Sequence, residues 1–214
     1  MVALMNLKLS NHQLVQTSTV TLNHYEEHAE TFWRDTRDHD VSQNRDALLQ
    51  SLPGSGPFRI LDFGCGPGRD LKIFRDLSHE AVGLEGSERF AEMARNYSGC
   101  EVWQQDFLSL DLPAEYFDGI FANASLFHVP SQEVPRVLTQ LFAALKAKGV
   151  LFSSNPRGEN REGWIGKRYG CYYDWACWRE LVAAAGFSEI QHYYRPPGLP
   201  REEQPWLASV WRKL

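Results

Sequence analysis

The run Phe58-Arg59-Ile60-Leu61-Asp62-Phe63 leads straight into Gly64-Cys65-Gly66-Pro67-Gly68, and a helical pattern follows at once. A short apolar run bounded by turn residues reads as a buried strand. Alternate glycines let the backbone turn tightly and come close to a ligand, and the helix start behind them offers free N–H groups and a positive dipole end. Strand, glycine turn and helix in that order demand an α/β arrangement, and the rest of the chain is read against it.

After this unit, strand and helix alternate. The apolar stripe Leu71, Phe74 and Leu77, with Ile73 beside it, marks the helix behind the loop. Ala81–Glu85, Glu101–Gln105, Phe117–Ala122 and Val150–Ser153 read as further strands, and Glu88–Tyr97, Val134–Lys146 and Asp174–Ala185 as helices, the last stopped by Gly186. Two late strands, near Glu189–Tyr194 and Trp206–Trp211, flank a Pro/Gly-rich turn and suggest a hairpin that adds an antiparallel strand. Such alternation implies a mostly parallel, Rossmann-like sheet wrapped by helices. Ahead of it, the opening twenty residues lack periodicity and suggest a loosely held arm. A helical pattern spans Tyr25–Trp33, and a second helix begins after Asp40 or Ser42 and runs to Leu52. Pro53-Gly54-Ser55-Gly56-Pro57 breaks the chain there. The expectation is one domain over residues 1–214, with an arm and helical cap over 1–57 and the core over 58–214.

A length of 214 residues suffices for a sizeable core. The net charge of −5 and the absence of a dense Lys/Arg run argue against nucleic acid as a partner. No apolar stretch approaches the roughly 20 residues that span a bilayer, and Met1–Ser10 lacks the pattern of a cleaved leader. The four cysteines show no metal-ligand spacing, so free thiols, no metal site and a reducing, cytoplasmic compartment are expected.

The glycine spacing narrows the ligand. A dinucleotide fingerprint would place its third glycine at position 69, where this chain has Arg69. GxGxG suits a ligand without a pyrophosphate. Asp62, Glu85 and Asp106 all close strands at the carboxyl edge, where open α/β sheets bind ligands. Glu85 is placed to accept from ribose hydroxyls and Asp106 from an adenine amino group, with Phe107 as an apolar wall. Ile60–Asp70 resembles the first motif of class I S-adenosylmethionine-dependent methyltransferases, and Glu85, Asp106 and Asn123 fall where that family places further cofactor contacts. The resemblance implies S-adenosylmethionine as cofactor, held by Gly64, Gly66 and Gly68, with Tyr25 either also touching it or, as helix aromatics more often do, packing in the core.

Methyl transfer from a sulfonium mainly requires alignment, which can supply up to roughly 7–11 kcal/mol, so no catalytic dyad need be visible. Ala122-Asn123-Ala124-Ser125-Leu126-Phe127-His128 lacks the Pro-Pro-aromatic motif of DNA amino-methyltransferases. His128 is either a packing residue at a helix start or a pocket group near the methyl. The segment Asn155–Asp174 reads as a long loop carrying Arg157, Arg161, Trp164, Lys167, Arg168, Tyr169, Tyr172 and Tyr173: either a solvated surface loop or, given that composition, a binding segment suited to a small zwitterion or aromatic acid. Tyr193, Tyr194 and Arg195 either form an opposite wall or simply pack.

Several runs, among them Asp40-Val41-Ser42-Gln43-Asn44, Val102-Trp103-Gln104-Gln105-Asp106-Phe107, Phe152-Ser153-Ser154-Asn155-Pro156-Arg157-Gly158, His192-Tyr193-Tyr194-Arg195-Pro196 and Gln204-Pro205-Trp206-Leu207-Ala208-Ser209-Val210-Trp211, are similar to the methyltransferase domain of ovothiol biosynthesis. That family methylates an imidazole nitrogen of 5-thiohistidine. In its bifunctional members the domain follows an iron-dependent sulfoxide synthase, which has no counterpart in these residues, so a substrate made elsewhere is expected. On this reading Asn123, His128 and Tyr169 are the nominated catalytic residues and Asn155, Arg157, Arg168, Tyr169, Tyr193 and Arg195 the nominated substrate-binding ones. Two rivals stand beside it: methylation of another small amino acid, thiol or carboxylate, and a binding module without turnover.

Overall fold

The computed structural model describes residues 8–214, so most of the expectation for Met1–Ser10 lies outside the described residues. A seven-stranded sheet runs in the order β3-β2-β1-β4-β5-β9-β8. β1 (Arg59–Phe63), β2 (Glu80–Glu85), β3 (Glu101–Gln104), β4 (Phe117–Asn123) and β5 (Leu145–Pro156) are parallel, and β9 (Trp206–Lys213) lies antiparallel between β5 and β8 (Phe187–Arg195). This is the mostly parallel, Rossmann-like arrangement that the alternation implies. The chain leaves β1 first toward β2 and β3, then returns to build β4 and β5 on the other side. That reversal opens a crevice at the carboxyl ends of β1 and β4.

Period-two alternation divides the core. Leu61 and Phe63 face a layer with α6 (Val134–Ala144) and α7 (Trp175–Ala184), while Ile60, Phe121, Phe152 and Val210 pack against Leu48 and Leu52. The helix behind the loop, α4 (Arg69–Asp76), sets Leu71 against Ala91 and Ala94 of α5 (Glu88–Ser98).

The N-terminal segment differs from the expected loose arm. Asn11–Glu27 is a helix, α1, started by a capping box in which Ser10 and Gln13 exchange backbone-to-side-chain bonds. Leu9 ties its entry to Gln132. The helical pattern over Tyr25–Trp33 is interrupted at His28, beyond which α2 covers Ala29–Thr36. α3 (Ser42–Leu49) stops short of Leu52, and Asp40 accepts from the Ser42 N–H at its entrance.

Two further expectations are corrected. α6 ends at Ala144, and β5 starts at Leu145 and runs to Pro156, well beyond Val150–Ser153. The stretch after it is a hairpin rather than a long loop: β6 (Arg161–Ile165) pairs with β7 (Arg168–Tyr172) across Gly166-Lys167. Gly166 adopts φ 61°, the left-handed backbone that tight two-residue hairpin turns use. All four cysteines are free thiols. Among the described residues no helix is long and apolar enough to cross a membrane, and no cluster of His, Cys, Asp and Glu could hold a metal ion.

Candidate active site

A cavity of about 870 Å³ occupies the crevice at the carboxyl ends of the strands. The glycine loop forms its floor, α1 and α2 its roof, and β7 and β8 supply Arg168 and Arg195 to its rim. α1 is held down by side chains that reach the walls: the Ser18 hydroxyl donates to Asp106, and Thr21 Oγ1 accepts from the Tyr169 N–H at 3.0 Å.

In the glycine loop the three glycines do different jobs. Gly64, at φ 76°, lies so close to the turn after β4 that an added Cβ would sit 2.5 Å from Ser125 Cβ. Gly66, at φ 53°, faces the cavity, and its N–H donates to Glu85 Oε2 at 2.9 Å. Gly68 is not part of the cavity wall. Its Cβ position would meet Ala94 Cα at 2.8 Å, so this glycine serves the packing of α4 on α5.

Glu85 also accepts from the Ser87 N–H at 2.9 Å, and burial raises its pKa. Asp62 is buried beside it, its carboxyl pushed well above the usual range by burial and by Asp70. Phe107 stacks on Phe63 at 4.3 Å and offers a flat apolar wall. Asp106 lies at that end of the cavity, with one oxygen accepting from the Leu108 N–H at 2.8 Å and the other from Ser18. A buried carboxylate, an apolar shelf and a glycine cradle in one crevice fit a nucleoside with a charged amino-acid tail. Ser125, which the sequence reading passed over, adds to this set: it is 4% exposed, lines the cavity, and its Oγ has no partner among the described residues.

The other half of the cavity centres on His128. Its Nδ1 lies 2.7 Å from the Tyr169 carbonyl oxygen and its Nε2 2.8 Å from the Tyr25 hydroxyl. Burial lowers its pKa to about 4. Tyr25 lies against Phe32 and Phe90 and lines the cavity. Asn123 also lines it, its Oδ1 accepting from Asn44 Nδ2 at 2.9 Å. Arg168 and Arg195 both reach the cavity, and Arg195 also donates to the Asp40 carbonyl.

Four nominated side chains do not reach the cavity. The Tyr169 phenol turns away and donates to Glu162 Oε1 at 2.8 Å; only its backbone serves the site. Asn155 is buried in β5 outside the cavity wall. Arg157 donates to the carbonyls of Gln204 and Arg201 and borders a separate hollow of about 380 Å³. Tyr193 donates to Asn44 Oδ1 at 3.0 Å and so stands one layer behind Asn123. Phe127 and Trp206, not singled out as site residues, do line the cavity.

Residues 60–149 match the family model described as "Methyltransferase domain". The chain is 27% identical over 146 residues to malonyl-[acyl-carrier protein] O-methyltransferase of Enterobacter lignolyticus, covering 66% of this chain and 54% of that protein. It is 33% identical over 118 residues to trans-aconitate 2-methyltransferase of Variovorax paradoxus, covering 54% of this chain and 44% of the relative. It thus spans about half the length of these curated relatives. Its fold is similar, with a TM-score of 0.75 and 20% identity, to that of Burkholderia thailandensis 1,6-didemethyltoxoflavin-N1-methyltransferase with bound 1,6-didemethyltoxoflavin and S-adenosylhomocysteine, covering 99% of this chain and 94% of the other. Residues 60–149, which carry the glycine loop, Glu85, Asp106, Asn123 and His128, therefore match a methyltransferase domain, and the chain takes a Rossmann-like fold similar to that of the Burkholderia enzyme.

Proposed function

We propose that this chain methylates a small molecule from S-adenosylmethionine, and that its acceptor is the imidazole of 5-thiohistidine, giving ovothiol A and S-adenosylhomocysteine. The observation that carries this reading is the division of one cavity into two chemically distinct halves. Around the glycine loop lie Glu85, Asp62 and the Phe107 shelf; opposite stand Arg168, Arg195, Tyr25 and a neutral His128. The bound cofactor supplies an electrophilic methyl group on a sulfonium. The chain's residues do the rest. Arg168 and Arg195 bind the acceptor's carboxylate, Phe127 and Trp206 exclude water, and Asn123, fixed by Asn44, offers an oriented amide. Because the acceptor's own thiolate competes as a nucleophile, selectivity comes from pose. The free thiols support a reducing, cytoplasmic setting as part of the same proposal.

The arginines also favour a second reading, a carboxylic acid methylated on oxygen. An acceptor panel separates the readings: purified protein with S-adenosylmethionine is offered 5-thiohistidine, histidine, simple thiols and trans-aconitate, and products are read by mass spectrometry. One ring-methylated product from 5-thiohistidine is expected. Methylation of trans-aconitate or a simple thiol with 5-thiohistidine untouched would overturn the acceptor assignment, and cofactor that binds without turning over on any acceptor would make the protein a binding module.

A further inference from the structure

A chain of hydrogen bonds between Tyr169, His128 and Tyr25 has a fixed direction. A carbonyl oxygen has no hydrogen to give, so the contact at 2.7 Å requires the proton on His128 Nδ1. The ring is neutral near pH 7, since burial lowers its pKa to about 4. Nε2 therefore carries a lone pair, and the hydroxyl of Tyr25, 2.8 Å away, must donate to it. The anchoring carbonyl is itself held, because Tyr169 pairs with Trp164 across the hairpin, gives its N–H to Thr21 and its phenol to Glu162. With its only hydrogen committed to His128, Tyr25 can show the cavity nothing but oxygen lone pairs.

We propose that the Tyr25 oxygen is the hydrogen-bond acceptor that takes the ring N–H of the substrate and thereby selects which imidazole nitrogen is methylated. This rests on the imidazole acceptor argued above. A neutral imidazole has one N–H and one bare nitrogen. With the N–H held on Tyr25, the bare nitrogen is left to attack: its lone pair forms the new N–C bond, and the pair of the broken C–S bond leaves with the sulfur of S-adenosylhomocysteine. The ring gains a positive charge beside its own thiolate and keeps its N–H, so no proton has to leave during transfer. The charged and titratable groups around the pair are Arg168 and Tyr172 of β7, His24 of α1 and Glu85 at the end of β2. Arg168 lines the same cavity within side-chain hydrogen-bonding reach of the Tyr25 hydroxyl, so its guanidinium has to turn to the substrate's carboxylate for the ring N–H to take its place on the tyrosine oxygen.

The test is regiochemistry. Wild type is expected to give one ring-N-methyl isomer, resolved by NMR of the product. Tyr25→Phe keeps the aromatic packing and removes the oxygen; it is expected to give both ring isomers and S-methyl product, with KM for 5-thiohistidine raised about tenfold. His128→Gln, whose amide can donate toward Tyr25 and turn its hydroxyl into the cavity, is expected to mix the isomers as well. A slower Tyr25→Phe enzyme that still makes one isomer overturns the proposal while leaving the acceptor assignment standing. A wild-type protein that leaves 5-thiohistidine unmethylated overturns both. Nitrogen-15 NMR of His128 in the acceptor-free protein at pH 7 gives an independent reading: the Nδ1–H tautomer is expected, and an Nε2–H tautomer or a charged ring would refute the direction on which the proposal stands.

Discussion

Gly66 and Gly68 stand two residues apart in one loop, yet substitution should separate them. Gly68→Ala forces a Cβ to within 2.8 Å of Ala94 Cα at φ 91°, so it should cost about 1–3 kcal/mol in urea unfolding while the affinity for S-adenosylhomocysteine changes little. Gly66 has no neighbouring atom nearer than 3.9 Å to an added Cβ, but it lines the cavity. Gly66→Ala should therefore weaken S-adenosylhomocysteine by at least about tenfold in calorimetry, and cost about 1–2 kcal/mol of stability from its left-handed backbone. Sequence spacing alone treats the two alike, because what separates them is the neighbour each meets in space. Arg168 and Tyr169 teach a related lesson. Both look like site residues in the sequence, but adjacent positions on a strand point to opposite faces. Only Arg168 and the Tyr169 backbone serve the cavity.

Among the elements, those with an apolar signature were legible and those without were not. β1, β2 and β4 bury near-continuous apolar runs, as parallel strands covered on both faces must. α1 buries only Thr17 and Thr21, so no apolar stripe marks it, and its place over the cavity depends on polar ties such as Ser18 to Asp106. The β6–β7 hairpin leaves Trp164 and Ile165 exposed and carries glycine at 163, 166 and 170, which hides any alternation. Because α1 relies on its cap, Ser10→Ala should cost about 1 kcal/mol of helix stability. Amide hydrogen exchange over residues 11–27 should quicken, and bound S-adenosylhomocysteine should dissociate faster in stopped-flow.

At the scale of the whole molecule, the filled cavity should be the more stable state. S-adenosylhomocysteine at a hundred times its Kd should add about 2.7 kcal/mol and raise Tm by roughly 5–11 °C. Asp62 works against stability. Burial and Asp70 raise its folded-state pKa, so its favourable contribution is present below the unfolded value of about 3.9 and is lost as pH rises through the raised value. Asp62→Asn should accordingly stabilise the protein to urea at pH 8 and give no gain near pH 4. A last consequence follows from where the cavity walls lie along the chain. The matched segment over 60–149 supplies the glycine loop, Glu85 and Asp106, and also Asn123, Phe127 and His128, whereas Tyr25, Arg168, Arg195 and Trp206 come from segments before and after it. Change in the flanking segments can therefore reshape the proposed acceptor half around Asn123, Phe127 and His128 while the glycine loop, Glu85 and Asp106 stay as they are.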